Sequence, residues 1–203
     1  MEILNLNKPD QKQLDYWEER IGGGDGNLWL FVHPYYGQGK EEYMSKKLIN
    51  YPESVIGFEG VMADTAKPLM VLESYLHEEM ERLKFRNEFC GGDRILVVET
   101  SPSHPTPVNY APGGNWVDSE RAAWERLGEI LHMVGVRRLV LGGGFLDEES
   151  ICGRGGVISM MPCACVGVTA INLGAYFSVE FSAFTYPLVR AGLMYRPTGG
   201  TWA

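Results

Sequence analysis

Cys163-Ala164-Cys165-Val166 is the stretch best equipped for covalent chemistry. The residues after it, Gly167 to Ala175, are small and helix-compatible, so Cys165 falls at the start of a helix. There the aligned peptide dipoles favour a thiolate, the nucleophilic form of cysteine. The position suits a small buried hydrophobe equally well, which free cysteine often is. Cys152 and Cys163 supply further sulfur. However, Cys-x-Cys with a distant third ligand lacks the paired spacing of a zinc site, and no metal is expected. Acid–base work near neutrality points to histidine. His33 directly follows an apolar run, and His104 lies in a proline-rich stretch. Either can serve as acid or base, and either also fits as a hydrogen-bonded loop residue. His77 and His132 read as ordinary positions on helices.

These groups need a scaffold, and the apolar pattern predicts one. Leu28–Val32, Arg94–Glu99 and Arg138–Leu141 are short apolar runs of the kind that form buried parallel strands. Phe177 to Phe184 alternates like a strand, and Ser54–Glu59 reads as a weaker one because Gly57 lowers its propensity. Helical spacing predicts helices over residues 8–21 and 41–49. The longest helix is capped by Thr65, with Leu69, Leu72, Leu76, Met80 and Leu83 along one stripe. Another is capped by Asp118 or Ser119 and buries Ala123, Trp124, Leu127, Ile130, Leu131 and Val134, with Gly135 closing it. Residues 100–117, rich in proline, read as a long functional or mobile loop. Strand, turn and helix in alternation predict a single α/β domain over residues 1–203. Its form is three-layered and Rossmann-like, a mostly parallel open sheet with helices on both faces.

In such sheets ligands bind outside the carboxyl ends of the strands, near the point where strand order reverses. That rule gathers His33, Tyr35, Tyr36, Glu59, Asp64, Glu99, Ser101, Ser103, His104 and the backbone of Gly142, Gly143 and Gly144. Tyr35 and Tyr36 either stack on a planar ligand or cover the sheet end. The glycine run either cradles a phosphate or carboxylate with bare N–H groups, or permits a tight turn. Its spacing is neither a P-loop nor a dinucleotide fingerprint.

A net charge of -8 argues against a nucleic-acid backbone as a general partner. No apolar run is long enough to span a bilayer. Met1 to Asn7 lacks the basic-then-apolar order of a signal peptide, so a cytoplasmic protein is expected. Four cysteines in a chain of 203 residues do not form a disulfide framework, and reduced thiols are expected. No cofactor is expected. Trp116, Trp124 and Trp202 are candidates for a homo-oligomer interface.

Gly135-Val136, Leu139-Val-Leu-Gly142, Cys165-Val166, Thr169-Ala170 and Val179-Glu-Phe181, in that order, resemble the isochorismatase-like cysteine hydrolases. Leu28–Val32 matches that family's first strand. The resemblance covers the last third of the chain plus that strand. It implies a hydrolase acting on a small molecule, with Cys165 as nucleophile. The family's catalytic Asp is replaced by His33, and its Lys has no counterpart, because no Lys follows Lys84. The leading expectation is therefore a small-molecule hydrolase using Cys165 with His33 or His104 as base. The alternatives are a non-catalytic module for a small anionic or nucleotide-like ligand, and a structural oligomer subunit.

Overall fold

The computed structural model describes residues 1–35, 51–64, 66–74, 77–89, 95–101, 104–108, 110, 116–143 and 165–182. Its strands are β1 (Glu2–Ile3), β2 (Asn27–Val32), β3 (Leu69–Ser74), β4 (Ile95–Ser101), β5 (His104–Pro107), β6 (Arg138–Gly143) and β7 (Ser178–Phe181). Its helices are α1 (Gln11–Gly22), α2 (Tyr51–Ala63), α3 (His77–Phe89), α4 (Trp116–Met133) and α5 (Cys165–Leu173). One sheet holds every described strand, in the order β1-β4-β3-β2-β6-β7, with β5 paired to β4. All pairs are parallel except β4 with β5. The Rossmann-like, mostly parallel α/β fold is thus borne out.

Period-two alternation along the strands divides the core into two layers. On one face Leu28, Leu30, Val32, Met70, Leu72, Leu139 and Leu141 meet Trp17 of α1, Trp124 and Leu127 of α4, and Val166 and Ala170 of α5. On the other, Phe31, Val71 and Val97 meet Phe58 and Met62 of α2 and Leu83 of α3. Strands buried on both faces carry continuous apolar runs, which is why β2, β4 and β6 read clearly in sequence. Trp124 belongs to this core rather than to an interface surface.

α4 buries the face expected of it, Ala123 through Val134. It starts at Trp116, slightly before the expected caps. It ends in a Schellman motif. Val136 N–H donates to Leu131 carbonyl at 3.0 Å and Gly135 N–H to His132 carbonyl at 3.1 Å. Gly135 takes φ +85°, a conformation that costs a glycine little.

Two expectations are corrected between residues 51 and 83. Ser54–Glu59 is not a strand but part of helix α2. Leu69–Ser74 is not the first half of a long helix but strand β3, buried at every position. Leu69, Leu72, Leu76, Met80 and Leu83 do fit helical spacing. Burial on both faces of a central strand overrides that stripe, because Met70 and Val71 are as buried as Leu69 and Leu72. The stretch after β4 is corrected too. It turns back as strand β5 instead of running on as a loop. Pro105 and Pro107 are tolerated in β5 because, among the described strands, it pairs only with β4. The helix expected over 41–49 lies outside the described residues. Among those residues, no helix is long and apolar enough to cross a membrane.

Candidate functional site at the carboxyl edge

From β2 the chain steps to β3 and β4 on one side, then returns to β6 on the other. Strand order therefore reverses between β2 and β6, and the carboxyl ends of those strands flank the crevice where α/β sheets take ligands. His33 is the first residue beyond β2. Its N–H continues the ladder by donating to Leu72 carbonyl at 2.8 Å. The chain then turns sharply, with His33 in the left-handed region at φ +46°. Such backbone strain in a non-glycine residue gathers at functional sites. Although β3 lies between β2 and β4, Nε2 of the ring lies 2.8 Å from Thr100 Oγ1 on β4. Burial pushes the His33 pKa down to about 4, with a smaller push from the neighbouring His104. The ring is therefore neutral at pH 7.

His104 opens β5, which is folded back on β4 by a bond from Ser101 Oγ to His104 carbonyl at 3.2 Å. His104 Nδ1 lies 2.7 Å from Thr106 Oγ1, and that hydroxyl donates to Glu120 Oε1 on α4 at 2.8 Å. Nδ1 and Glu120 Oε1 are themselves 3.5 Å apart. β5 packs against both α4 and α5. The hairpin thus sets the histidine strand beside the helix that Cys165 begins.

Cys165 is the first residue of α5 and is only 1% exposed. Its carbonyl accepts from Thr169 Oγ1 at 2.8 Å, one turn along. Glu73 and Glu99 are register partners at the carboxyl ends of β3 and β4. Glu73 is fully buried, with Oε1 accepting from Ser74 N–H at 2.8 Å. Among the described residues no group of three His, Cys, Asp or Glu side chains is arranged to hold a metal.

The remaining candidates lie elsewhere. Tyr35 is buried in the core layer of α2, edge-on to Phe58, with its hydroxyl donating to Glu59 at 3.3 Å. Glu59 sits on α2, not at a strand end, and pairs with Arg86 of α3 at 3.1 Å. These two residues tie α2 and α3 to the end of β2. Asp64 follows α2 at the opposite, amino edge, just before β3. The Ala66 N–H and the Lys67 ammonium hold its carboxyl below the usual range. A helix read as a strand put Glu59 at a strand end and Asp64 at the wrong edge. Tyr36, Ser103, Gly144, Cys152 and Cys163 lie outside the described residues.

Gly142 and Gly143 are not a loop. They end β6, paired with Phe31 and Val32. A Cβ on Gly142 would collide with the Phe31 ring. One on Gly143 would lie 2.6 Å from Val32 carbonyl oxygen and 2.8 Å from Val166 Cγ2. These glycines permit close approach of strands and helix. Gly143→Ala should cost about 1–3 kcal/mol, since a backbone oxygen cannot yield as a side chain does. Urea unfolding will measure it, and a loss within about 0.5 kcal/mol would remove the packing explanation.

Sequence reasoning missed Thr100, Thr106 and Glu120. One signal was present, because His104-Pro-Thr-Pro alternates and puts His104 and Thr106 on one face of an extended segment. Protein-family models, curated proteins and solved structures give no match to the chain.

Proposed function

We propose that the chain is a small-molecule hydrolase in which Cys165 is the nucleophile and His104 the general base. The observation that carries this reading is the packing of β5 against α5, which brings the His104 strand to the Cys165 helix beside the switch point. In this scheme the Cys165 thiol proton passes to His104 as sulfur bonds to an acyl carbon. The proton returns to the leaving group, and water then cleaves the thioester. His33 is the poorer base. Moving a proton from a thiol of ordinary pKa, about 8.5, to a ring titrating at about 4 is uphill by roughly 6 kcal/mol. Its neutral ring serves instead as a fixed hydrogen-bonding wall.

The parallel order of β2, β6 and β7, with a Cys-Val helix leading into β7, supports the isochorismatase-like resemblance. The family's Asp and Lys have no counterparts, so the chemistry proposed here is cysteine–histidine rather than Asp-Lys-Cys.

One observation favours a second reading, a binding module for a small ligand. Cys165 is counted among the apolar core residues together with Leu139 and Leu141. Iodoacetamide labelling with peptide mapping separates the two. The hydrolase reading expects Cys165 to label faster than Cys90 and Cys163. Labelling slower than both assigns Cys165 to the core and leaves the binding module.

A further inference from the structure

We propose that Glu120 and Thr106 act as positioning residues that fix the tautomer of His104, keeping its proton on Nδ1 and its lone pair on Nε2. Proton bookkeeping across three groups carries the inference. A carboxylate accepts hydrogen bonds and does not donate them. The Thr106 hydroxyl therefore gives its single proton to Glu120 Oε1, 2.8 Å away. With that proton committed, Thr106 Oγ1 can only accept from His104 Nδ1, 2.7 Å away. Nδ1 must then carry the hydrogen, and a neutral imidazole has only one. The Thr106 backbone N–H also points at Nδ1, at 3.4 Å, and would prefer a lone pair there. The contact 0.7 Å shorter, between well-placed side-chain groups, outweighs it.

The arrangement resembles a nucleophile–base–acid triad with a hydroxyl inserted between base and acid. The direct 3.5 Å separation of Nδ1 and Oε1 is long for a hydrogen bond, so the threonine carries the link. The groups come from two elements, β5 and α4, so the same contacts also clamp the hairpin to the helix. The catalytic use of the relay rests on the hydrolase reading, but its existence does not.

The test reads the tautomer directly. Two-bond proton–nitrogen correlation spectra of the neutral His104 ring, assigned by loss of its signals in His104→Gln, report which nitrogen bears hydrogen. The chain has 4 histidines, so the spectra stay simple. Wild type should show protonated Nδ1 and bare Nε2, biased about five- to tenfold, the scale of one net hydrogen bond. Thr106→Val keeps the volume and removes the acceptor, so the ring should move toward Nε2–H. Thr106→Ser should restore Nδ1–H. Glu120→Ala frees the threonine proton to turn toward Nδ1 and should shift the ring in the same direction as Thr106→Val. A wild-type ring protonated on Nε2 overturns the proposal, and that spectrum suffices even if Thr106→Val fails to fold. An unchanged tautomer in folded Thr106→Val overturns it as well. If the tautomer behaves as stated while Cys165→Ser keeps full activity, the relay stands and the hydrolase reading falls.

Discussion

Between pH 6.5 and pH 4 the folded protein should lose about 3 kcal/mol of stability through His33 alone. The sign follows from the burial of the ring. In the unfolded chain His33 takes up a proton near its ordinary value of 6.5, whereas in the folded protein it resists until about 4. Above pH 6.5 neither state binds the proton and nothing is lost. Below it the unfolded state binds more protons, so stability falls steadily and levels off near pH 4. Carboxylates titrate over part of the same window, so the comparison must be made with a variant. His33→Asn keeps a polar group in a residue that tolerates left-handed backbone and removes the titration. At pH 7 it should cost about 1 kcal/mol for the lost Thr100 contact. Urea unfolding at a series of pH values should show the two proteins converging, then the variant becoming the more stable near pH 4. Parallel curves would mean that the ring is not neutral and buried in solution.

Cys165→Ser should lower turnover of small amides or esters by at least about a thousandfold, as expected when a nucleophile that works with its base is removed. Serine is nearly isosteric, but its hydroxyl is far less acidic than a thiol and gains little from the same base. The change also places a hydroxyl where the residue is 1% exposed, at a cost of about 1–3 kcal/mol unless it finds a partner. Stability and turnover must therefore be measured together. Full activity in a folded Cys165→Ser protein would dismiss the cysteine mechanism. A stability loss with no substrate found for wild type would favour the binding module.

How legible each part was in the sequence depends on how many faces of an element are buried. β2, β4 and β6 announce themselves as unbroken apolar runs because both faces are covered. α4 announces itself because only one face is, giving a clean stripe that ends at Gly135. Leu69–Ser74 is equally buried, but its leucines happen to continue at helical spacing into α3. A local pattern cannot tell which neighbours will cover a segment. That ambiguity hid Glu73, which lies in the misread strand and is fully buried. His33 and Cys165 were legible because each adjoins a well-marked element. Thr106 and Glu120 were not, since their link spans fourteen positions and exists only once β5 is folded onto α4.

The central position of β2 also governs how the chain is made. Its partner on one side, β3, follows closely, but its partner on the other is β6, with Asn27 and Arg138 111 positions apart. At roughly 5–20 residues per second of synthesis, β2 waits about 5–20 s with one edge unpaired. That edge belongs to the strand holding Leu28, Leu30 and Val32 of the core. Long-range parallel pairing of this kind is slow and leaves a growing chain open to association with its neighbours on the same message. Yield during expression should therefore depend more on how quickly β6 closes onto β2 than on the stability of the finished protein. A chaperone that shields an unpaired strand edge would act in that interval.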